Sequence, residues 1–320
     1  MKTLLNDFFN SGTEAQQNKK RMTALVLCAT AVILAIALLV LAIGSIAVAI
    51  KDKAPNDDEG ESGGTKIPNG YTTTTFDAAQ LSTGSLLLLD ADHPYAGTSP
   101  SVVLFRDSES RPKTESGDVV YSIGGTDKLS ATSETVEAFN AMITAFYTDE
   151  TVGGDDCLYI SSAYDMTGSN QKSELYKVGT VIALSYYVDY NSDPTNIQTI
   201  YGVEKYDWIY ENAHTYGFIQ ASSEEGKENI FRYVGPAHAT YMHNNSKTFA
   251  EYLTIIQNRT YKAPLQITAK NSAGENVSYS VYYLATGSDM VVPTKYAYEV
   301  SGDNMGGYII TIDKSKTLTK

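Results

Sequence analysis

An uncharged apolar run near the N-terminus constrains this chain more than any other feature. From Met22 to Ile50 the sequence has 29 residues without one charged side chain. A helix needs about 20 apolar residues to cross the hydrocarbon core of a bilayer. The basic cluster Lys19-Lys20-Arg21 precedes the run, and basic residues favour the cytoplasmic side. The sequence therefore predicts a single-pass cell-membrane protein with a cytoplasmic tail (1–21), a transmembrane helix (22–50) and an extracellular C-terminal part.

Two other kinds of N-terminal segment contain such runs. A cleaved signal peptide is one, since Ala47-Val48-Ala49 resembles a cleavage site, but the run is about twice as long as the 7–15-residue apolar core of such peptides. A lipoprotein signal at Cys28 is the other. We reject it because Leu27 is too large for the position before a lipidated cysteine, and that cysteine should follow the apolar run. We expect an uncleaved anchor that attaches the chain to the membrane.

The residues after the anchor are acidic and have no apolar periodicity. Residues 51–75 are rich in Gly, Ser, Pro and acidic side chains, which predicts a flexible linker. Residues 1–53 carry six Lys or Arg and three acids, and the remaining eighteen positive and thirty-four negative residues give the rest of the chain a formal charge of −16. An acidic outer domain argues against nucleic acid and anionic lipid as partners.

Downstream of the linker, strand and helix patterns are mixed, which predicts an α+β domain over 76–261. The apolar runs Leu86–Leu89 and Val178–Val188 predict buried strands. Residues 262–320 show alternation and a hairpin pattern, and they predict a small β-rich accessory segment. Between the two strands a helix is expected, with Ser133 as its N-cap and four apolar residues at helical spacing on its buried face: Val136, Phe139, Ile143 and Phe146.

Six segments, in this order and spacing, resemble the VanY-type D-alanyl-D-alanine carboxypeptidases, which are zinc peptidases of bacterial cell-wall peptides. The resemblance covers about Ser85 to Leu253. It implies a central, mostly antiparallel sheet flanked by helices, with the zinc site on the sheet. The segments are LLLLDADHPY (86–95), ETVEAFNAMITAF (134–146), SSAY (161–164) with Gln171, WIYENAHTYGFI (208–219), FRYVGPAHATYM (231–242) and EYL (251–253).

The chemistry of that family requires a zinc ion held by His, Asp and His, with one position open for water. A Glu acts as general base on the water. The family carries the first two ligands in a His-x-x-Gly-x-Ala-x-Asp motif. It carries the base and the third ligand in Glu-Pro-Trp-His, directly before Phe-Arg-Tyr-Val-Gly. A site can therefore be tested position by position in this chain.

The metal-binding and catalytic positions are not kept. Phe-Arg-Tyr-Val-Gly is intact at 231–235, so Ile230 stands at the ligand His and Lys227 at the base Glu. Gly179 matches the motif glycine, which places Tyr176 at the first His and Ala183 at the Asp. A two-residue shift of the strand would place Ser185 at the Asp instead. Neither alternative supplies a ligand, and the resemblance therefore implies no metal and no catalytic residue here.

Two cationic groups that would hold a peptide carboxylate are also replaced. Asp165 stands where the family has an Arg after Ser-Gly-Tyr, and Ala221 stands where an Arg follows the Tyr-Gly-Phe strand. Besides Lys227, the degenerate cleft would be lined by six residues: Asp165, Tyr176, Ala183, Tyr187, Ala221 and Ile230. An apolar cleft with a carboxylate should not favour a peptide that ends in a carboxylate.

The four histidines do not suggest a relocated metal site. His238 and His243 are five residues apart, which puts them about 140° apart around a helix. The prediction is thus a membrane-anchored, metal-free pseudopeptidase with a binding or scaffolding role toward a cell-wall peptide or an envelope protein. A purely structural role in an envelope complex is a further hypothesis. The alternative is an active D-alanyl-D-alanine carboxypeptidase trimming peptidoglycan stem peptides, and only that alternative requires zinc.

Overall fold

The computed structural model describes residues 67–125, 128–152, 157–167, 173–221, 227–271 and 274–318. The chain from Ile67 onward forms one compact unit. The cytoplasmic tail 1–21, the transmembrane helix 22–50 and most of the linker 51–75 are predictions that fall outside the described residues. Within the described ranges, no helix is long and apolar enough to cross a membrane.

The described residues contain short helices and many strands, and the chain order mixes the two. The helices are α1 (Ser133–Thr148), α2 (Asp207–Asn212), α3 (Pro236–Asn244) and α4 (Phe249–Gln257). The strands are β1 (Tyr71–Thr74), β2 (Val103–Leu104), β3 (Tyr121–Ile123), β4 (Leu129–Ala131), β5 (Leu158–Ser162), β6 (Tyr164–Asp165), β7 (Val181–Asp189), β8 (Asp193–Thr199), β9 (Phe218–Gln220), β10 (Ile230–Tyr233), β11 (Leu265–Lys270), β12 (Asn276–Ala285), β13 (Met290–Pro293), β14 (Tyr296–Gly302) and β15 (Gly307–Thr317).

A six-stranded sheet lies at the centre, in the order β3-β5-β7-β10-β9, with β8 also paired to β7. Only β3 and β5 run parallel; the other pairs are antiparallel. The predicted mixed α+β fold with antiparallel sheets flanked by helices is confirmed. Gly217 ends the helical segment before β9 with a φ of +87°, a left-handed conformation that glycine adopts without strain.

Helix α1 covers one face of the central sheet. Its N-cap is Thr132 and not Ser133, because the Thr132 side chain accepts a hydrogen bond from the Thr135 amide. The four apolar residues predicted for its buried face all lie in the largest apolar core, where Phe146 stacks on Tyr206 at 5.7 Å. The periodicity of the sequence therefore predicted the packed face of α1 correctly, although the start of the helix was one residue off.

The C-terminal residues form a four-stranded antiparallel sheet in the order β11-β12-β15-β14. Strands β11, β12 and β15 share one apolar core with α3 and α4, so residues 262–320 are not an appended segment. The predicted linker also ends earlier than 75. Tyr71–Thr74 pair with Met290–Pro293 as β1 and β13, because the C-terminal part of the chain offers a strand edge that the local sequence does not reveal.

Leu86–Leu89 do not form the predicted strand. Leu86 and Leu87 are each 1% exposed, so the burial was predicted correctly. Their backbone groups are satisfied without a ladder: Arg232 Nη2 donates to the Ser85 and Leu87 carbonyls at 2.8 and 2.7 Å, and the Leu88 amide donates to the Asp303 carbonyl at 2.9 Å. Buried backbone groups need partners of some kind, and here side-chain and loop partners replace a neighbouring strand.

Candidate functional site

Of the three positions that the resemblance assigns to metal ligands, two lie on the central sheet and one lies in the turn before β7. Ala183 on β7 and Ile230 on β10 are direct partners in the antiparallel register. Tyr176 lies in the 3-10 turn Glu174–Val178, which leads into β7, and belongs to the same apolar cluster as Ile230. Gly179 ends that turn with a φ of +70°. The sheet thus brings together the residues that the sequence alignment placed at one site.

The surroundings of these three positions (Tyr176, Ala183 and Ile230) are apolar. We call them the former metal locus, after the role that the resemblance implies for them. Ala183 is 6% exposed. Burial raises the pKa of the Tyr176 phenol, and a hydrogen bond with the Ser162 side chain opposes that shift. Four buried aliphatic side chains pack in the same cluster as Tyr176 and Ile230: Leu87, Leu89, Val178 and Val181.

These residues do not fit a catalytic zinc ion. Zinc binds thiolate, imidazole and carboxylate groups, and the side chains of Ala183 and Ile230 carry no donor atom. Ser185, the alternative position under a shifted register, lies two residues further along β7 and offers only a hydroxyl. In the part of the chain that the structure describes, no group of three or more His, Cys, Asp or Glu side chains could hold a metal ion.

Ala221 and Lys227 flank the strand that carries Ile230. The Ala221 amide donates to the Ile230 carbonyl at 2.7 Å, and the Ile230 amide donates to the Lys227 carbonyl at 3.2 Å. The Lys227 side chain is exposed. The backbone therefore holds both positions next to Ile230 of the former metal locus.

Asp165 is buried, in the short strand β6 of a separate three-stranded sheet, β2-β4-β6. Its carboxylate accepts hydrogen bonds from the amide and the hydroxyl of Thr167, at 2.8 and 2.7 Å. This carboxylate stabilises its own turn. The sequence analysis predicted Asp165 among the residues lining the cleft. The structure shows a local role for it, the hydrogen bonds to Thr167.

Tyr187 extends the same face of β7 as Ala183, because side chains four residues apart on a strand point the same way. Its ring contacts those of Tyr159 and Tyr190 edge-on, with centroids 5.0 and 4.9 Å apart. Tyr190 is 56% exposed. An aromatic cluster thus continues from the former metal locus toward solvent.

The histidines have structural surroundings. His238 is buried, with Nδ1 2.5 Å from the Tyr252 hydroxyl and Nε2 2.9 Å from the Thr311 hydroxyl. His214 and His243 come from different helical segments and stack at 3.7 Å with an interplanar angle of 3°. Burial, followed by the proximity of His243, lowers the pKa of His214. Parallel stacked rings do not converge on one ion, so this pair is not a metal site.

A cavity of about 560 Å³ lies between the N-terminus of α1 and the C-terminal sheet. Thr180, Tyr233, Glu134 and Glu299 are among the residues lining it. The sequence analysis singled out none of these four for a site. No local signal could have identified them, because they lie far apart in sequence and belong to a strand start, a strand end, a helix start and a C-terminal strand.

Comparison with known proteins places the fold. No model of a known protein family matches the chain. A D-alanyl-D-alanine carboxypeptidase of Enterococcus faecium is 24% identical over 261 residues, 77% of this chain and 80% of that protein. The vancomycin resistance D,D-dipeptidase VanXYg, solved with a D-Ala-D-Ala phosphinate analogue, has a TM-score of 0.54 at 16% identity and covers 76% of this chain and 99% of its own. VanYB in complex with D-alanine-D-alanine has a TM-score of 0.34 at 15% identity, over 53% of this chain and 97% of its own.

The E. faecium match covers most of both chains, and the VanXYg match covers nearly all of that peptidase. The resemblance that six short segments indicated is confirmed at the level of homology and fold. The chain is homologous to a D-alanyl-D-alanine carboxypeptidase and has a mixed α+β fold similar to that of the D,D-dipeptidase VanXYg.

Proposed function

We propose that this protein is a metal-free pseudopeptidase that binds or scaffolds at the bacterial cell wall. One observation carries the proposal: Ala183 and Ile230 are register partners where the family has two zinc ligands, and aliphatic side chains pack around Ile230. Without ligands there is no activated water, and Lys227 cannot act as the carboxylate base. The homology to a D-alanyl-D-alanine carboxypeptidase supports a place in peptidoglycan metabolism.

The apolar locus argues against a ligand that ends in a carboxylate. A buried, unpaired carboxylate is costly, and the two positions where the family has an Arg hold Asp165 and Ala221. We therefore favour an envelope protein or an internal part of a wall peptide as the partner. The membrane anchor over 22–50 would present the domain outside the cell, and protease shaving of intact cells would test that orientation.

Metal content and peptidase activity test the proposal directly. Full-length protein purified in detergent is dialysed against zinc, and the bound zinc per chain is measured alongside D-alanine release from D-Ala-D-Ala and from a pentapeptide. The E. faecium carboxypeptidase, treated identically, is the positive control. We expect far less than one zinc per chain and no D-alanine release. One zinc per chain with D-alanine release would establish the alternative, an active carboxypeptidase.

The binding role has its own test. The intact membrane protein is incubated with purified peptidoglycan, and in parallel is recovered by affinity from cross-linked membranes. Retention on peptidoglycan supports wall binding, and a stoichiometric envelope protein supports scaffolding. If the protein shows neither, the binding role is wrong even where the metal-free character holds.

A further inference from the structure

The cavity between α1 and the C-terminal sheet is separate from the former metal locus. Neither Ala183 nor Ile230 lines it. Half of its lining comes from the segment 83–101, and the rest comes from the start of α1, the residues just before β7, the end of β10, α3, and the strands β14 and β15. Its volume of about 560 Å³ falls within the range of small-molecule sites, about 300–1,000 Å³. The cavity can therefore be considered as a separate binding site, whether or not the former metal locus binds a metal.

The charge of this cavity is negative. Glu134 stands in the first turn of α1 and Glu299 stands on β14, and both line the cavity. None of the twenty described residues that line it is a Lys or an Arg. His238 also lines it, and burial lowers the pKa of that imidazole to about 3, so it is neutral at physiological pH. Two carboxylates therefore lack a cationic partner among the lining residues.

The two carboxylates lie close enough to influence the same titratable groups electrostatically. Burial, and then the charges of Glu299 and Glu134, raise the pKa of the Tyr233 phenol. The pKa of Glu299 is raised first by burial, and Glu134 and Asp313 raise it further while Lys316 opposes them. Glu299 is nevertheless exposed on the protein surface and lines the cavity, so its carboxylate remains available to a ligand.

Thr180 provides a second, independent indication of a ligand. It is 4% exposed, and its hydroxyl has no hydrogen-bond partner in the described structure. Its position is fixed by the backbone: the Tyr233 amide donates to the Thr180 carbonyl, and the Thr132 amide donates to the Gly179 carbonyl, both at 2.8 Å. A buried hydroxyl without a partner is unusual and costs free energy, and a donor bound in the cavity would satisfy it.

The other walls of the cavity are apolar and suit the hydrocarbon part of a ligand. Leu86, Leu87 and Val178 are buried and line the cavity with Val300 and the Tyr95 ring. Hard divalent cations prefer a shell of six or more oxygens, which these apolar walls would interrupt. A ligand with a charged donor group and a short apolar body matches both parts of the lining.

We propose that this cavity binds a primary ammonium group carried on a short carbon chain. Glu134 and Glu299 balance its charge, the Thr180 hydroxyl accepts one of its hydrogens, and the aliphatic walls contact its methylene groups. Ammonium groups donate three hydrogen bonds and accept none, which agrees with a lining of carboxylates and hydroxyls. A peptide or sugar that bears a free amine belongs to this ligand class.

Titration calorimetry on the full-length protein in detergent tests this proposal with n-butylammonium chloride as the probe. n-Butanol is the neutral control of matched shape, and sodium chloride controls for ionic strength. We expect saturable binding of one butylammonium per chain and none of butanol. Glu299→Gln and Thr180→Val should weaken binding, roughly tenfold for the charge. Glu137→Gln, on the same helix but outside the lining, should leave it unchanged.

Melting curves of each variant are recorded so that unfolding cannot be mistaken for lost binding. Thr180→Val preserves the side-chain shape and should fold normally, since the hydroxyl it removes has no partner. The proposal is overturned if butanol binds as well as butylammonium, if Glu299→Gln binds like the parent protein, or if no saturable binding is seen. Calcium binding that excludes the amine would assign the cavity to a divalent cation and also overturn it.

Discussion

Two regions near the start of β7 differ in polarity: one is an apolar cluster, and the other is a cavity lined in part by polar side chains. At the former metal locus, Ala183 and Ile230 are register partners, and aliphatic side chains pack around Ile230. Three residues before Ala183, Thr180 borders a cavity with two carboxylates and a hydroxyl without a partner. One region is thus apolar, while polar groups line the cavity beside it.

The two regions share one structural support. The segment Leu86–Leu87 contacts both, since Leu87 packs in the cluster of the former metal locus and also lines the cavity. Arg232 holds this segment through two carbonyls, and its guanidinium lies 4.4 Å from the centroid of the Phe249 ring. Burial lowers the pKa of Arg232 to about 9, which leaves it protonated at neutral pH.

We expect the largest change in stability when the shared support, Arg232, is replaced. Arg232→Met should lower the free energy of unfolding by about 4 kcal/mol, because two buried carbonyls lose their donor. Urea unfolding measures the change. Arg106→Met, at an exposed position, is the matched control and should change stability by less than about 0.5 kcal/mol. A loss below about 1 kcal/mol would show that the segment is held by its leucines and not by Arg232.

The next largest effect is a pH dependence of stability that arises from His238 in the lining of the cavity. The pKa of His238 is lowered to about 3 in the folded protein, and that of an unfolded His is near 6.5. Neutral His238 therefore contributes stability that is present above pH 6.5 and is lost as pH falls toward 3. By pH 4.5 the loss should be roughly 2–3 kcal/mol. His238→Gln should show a shallower loss between pH 6.5 and 4.5 in parallel urea titrations; equal slopes would contradict the assignment.

A smaller effect tests whether the former metal locus rejects charge. Ala183→Asp introduces the residue type that the resemblance implies at this position. It should lower the free energy of unfolding by roughly 2 kcal/mol, because the carboxylate would be buried beside Ile230 without a partner. Thermal unfolding with and without zinc measures the cost. Ile197→Asp, at an exposed position of the edge strand β8, is the control. Recovery of stability on adding zinc would mean that a metal site persists there.

The smallest effect is a stabilisation, which we expect when a carboxylate is removed from the cavity. The pKa of Glu299 is raised in the fold, by burial first, so its charged form is less favourable there than in the unfolded chain. Glu299→Gln should therefore stabilise the protein at pH 7, by less than about 1 kcal/mol since the residue is exposed. The gain should vanish below about pH 4.5, the ordinary pKa of a Glu. Destabilisation at pH 7 would contradict the negative character of the cavity.

Much of the fold could be predicted from the sequence because its signals are local. The spacing of Val136 to Phe146 predicted the buried face of α1. The β14–β15 hairpin was also predicted and is confirmed. The burial of Leu86 and Leu87 was predicted, but their strand was not formed, because Arg232 and Asp303 bond their backbone from distant parts of the chain.

By itself, the sequence determined the family resemblance, the residues at the positions that this resemblance assigns to ligands, and the uncharged run at 22–50, since each depends on residue identity and short spacing. Only the tertiary structure decided that Ala183 and Ile230 are register partners and that Ile230 packs among aliphatic side chains. It alone joined β1 to β13 and brought Glu134, Thr180 and Glu299 to one cavity. Those contacts depend on strand register and helix packing between distant segments, which local patterns do not encode.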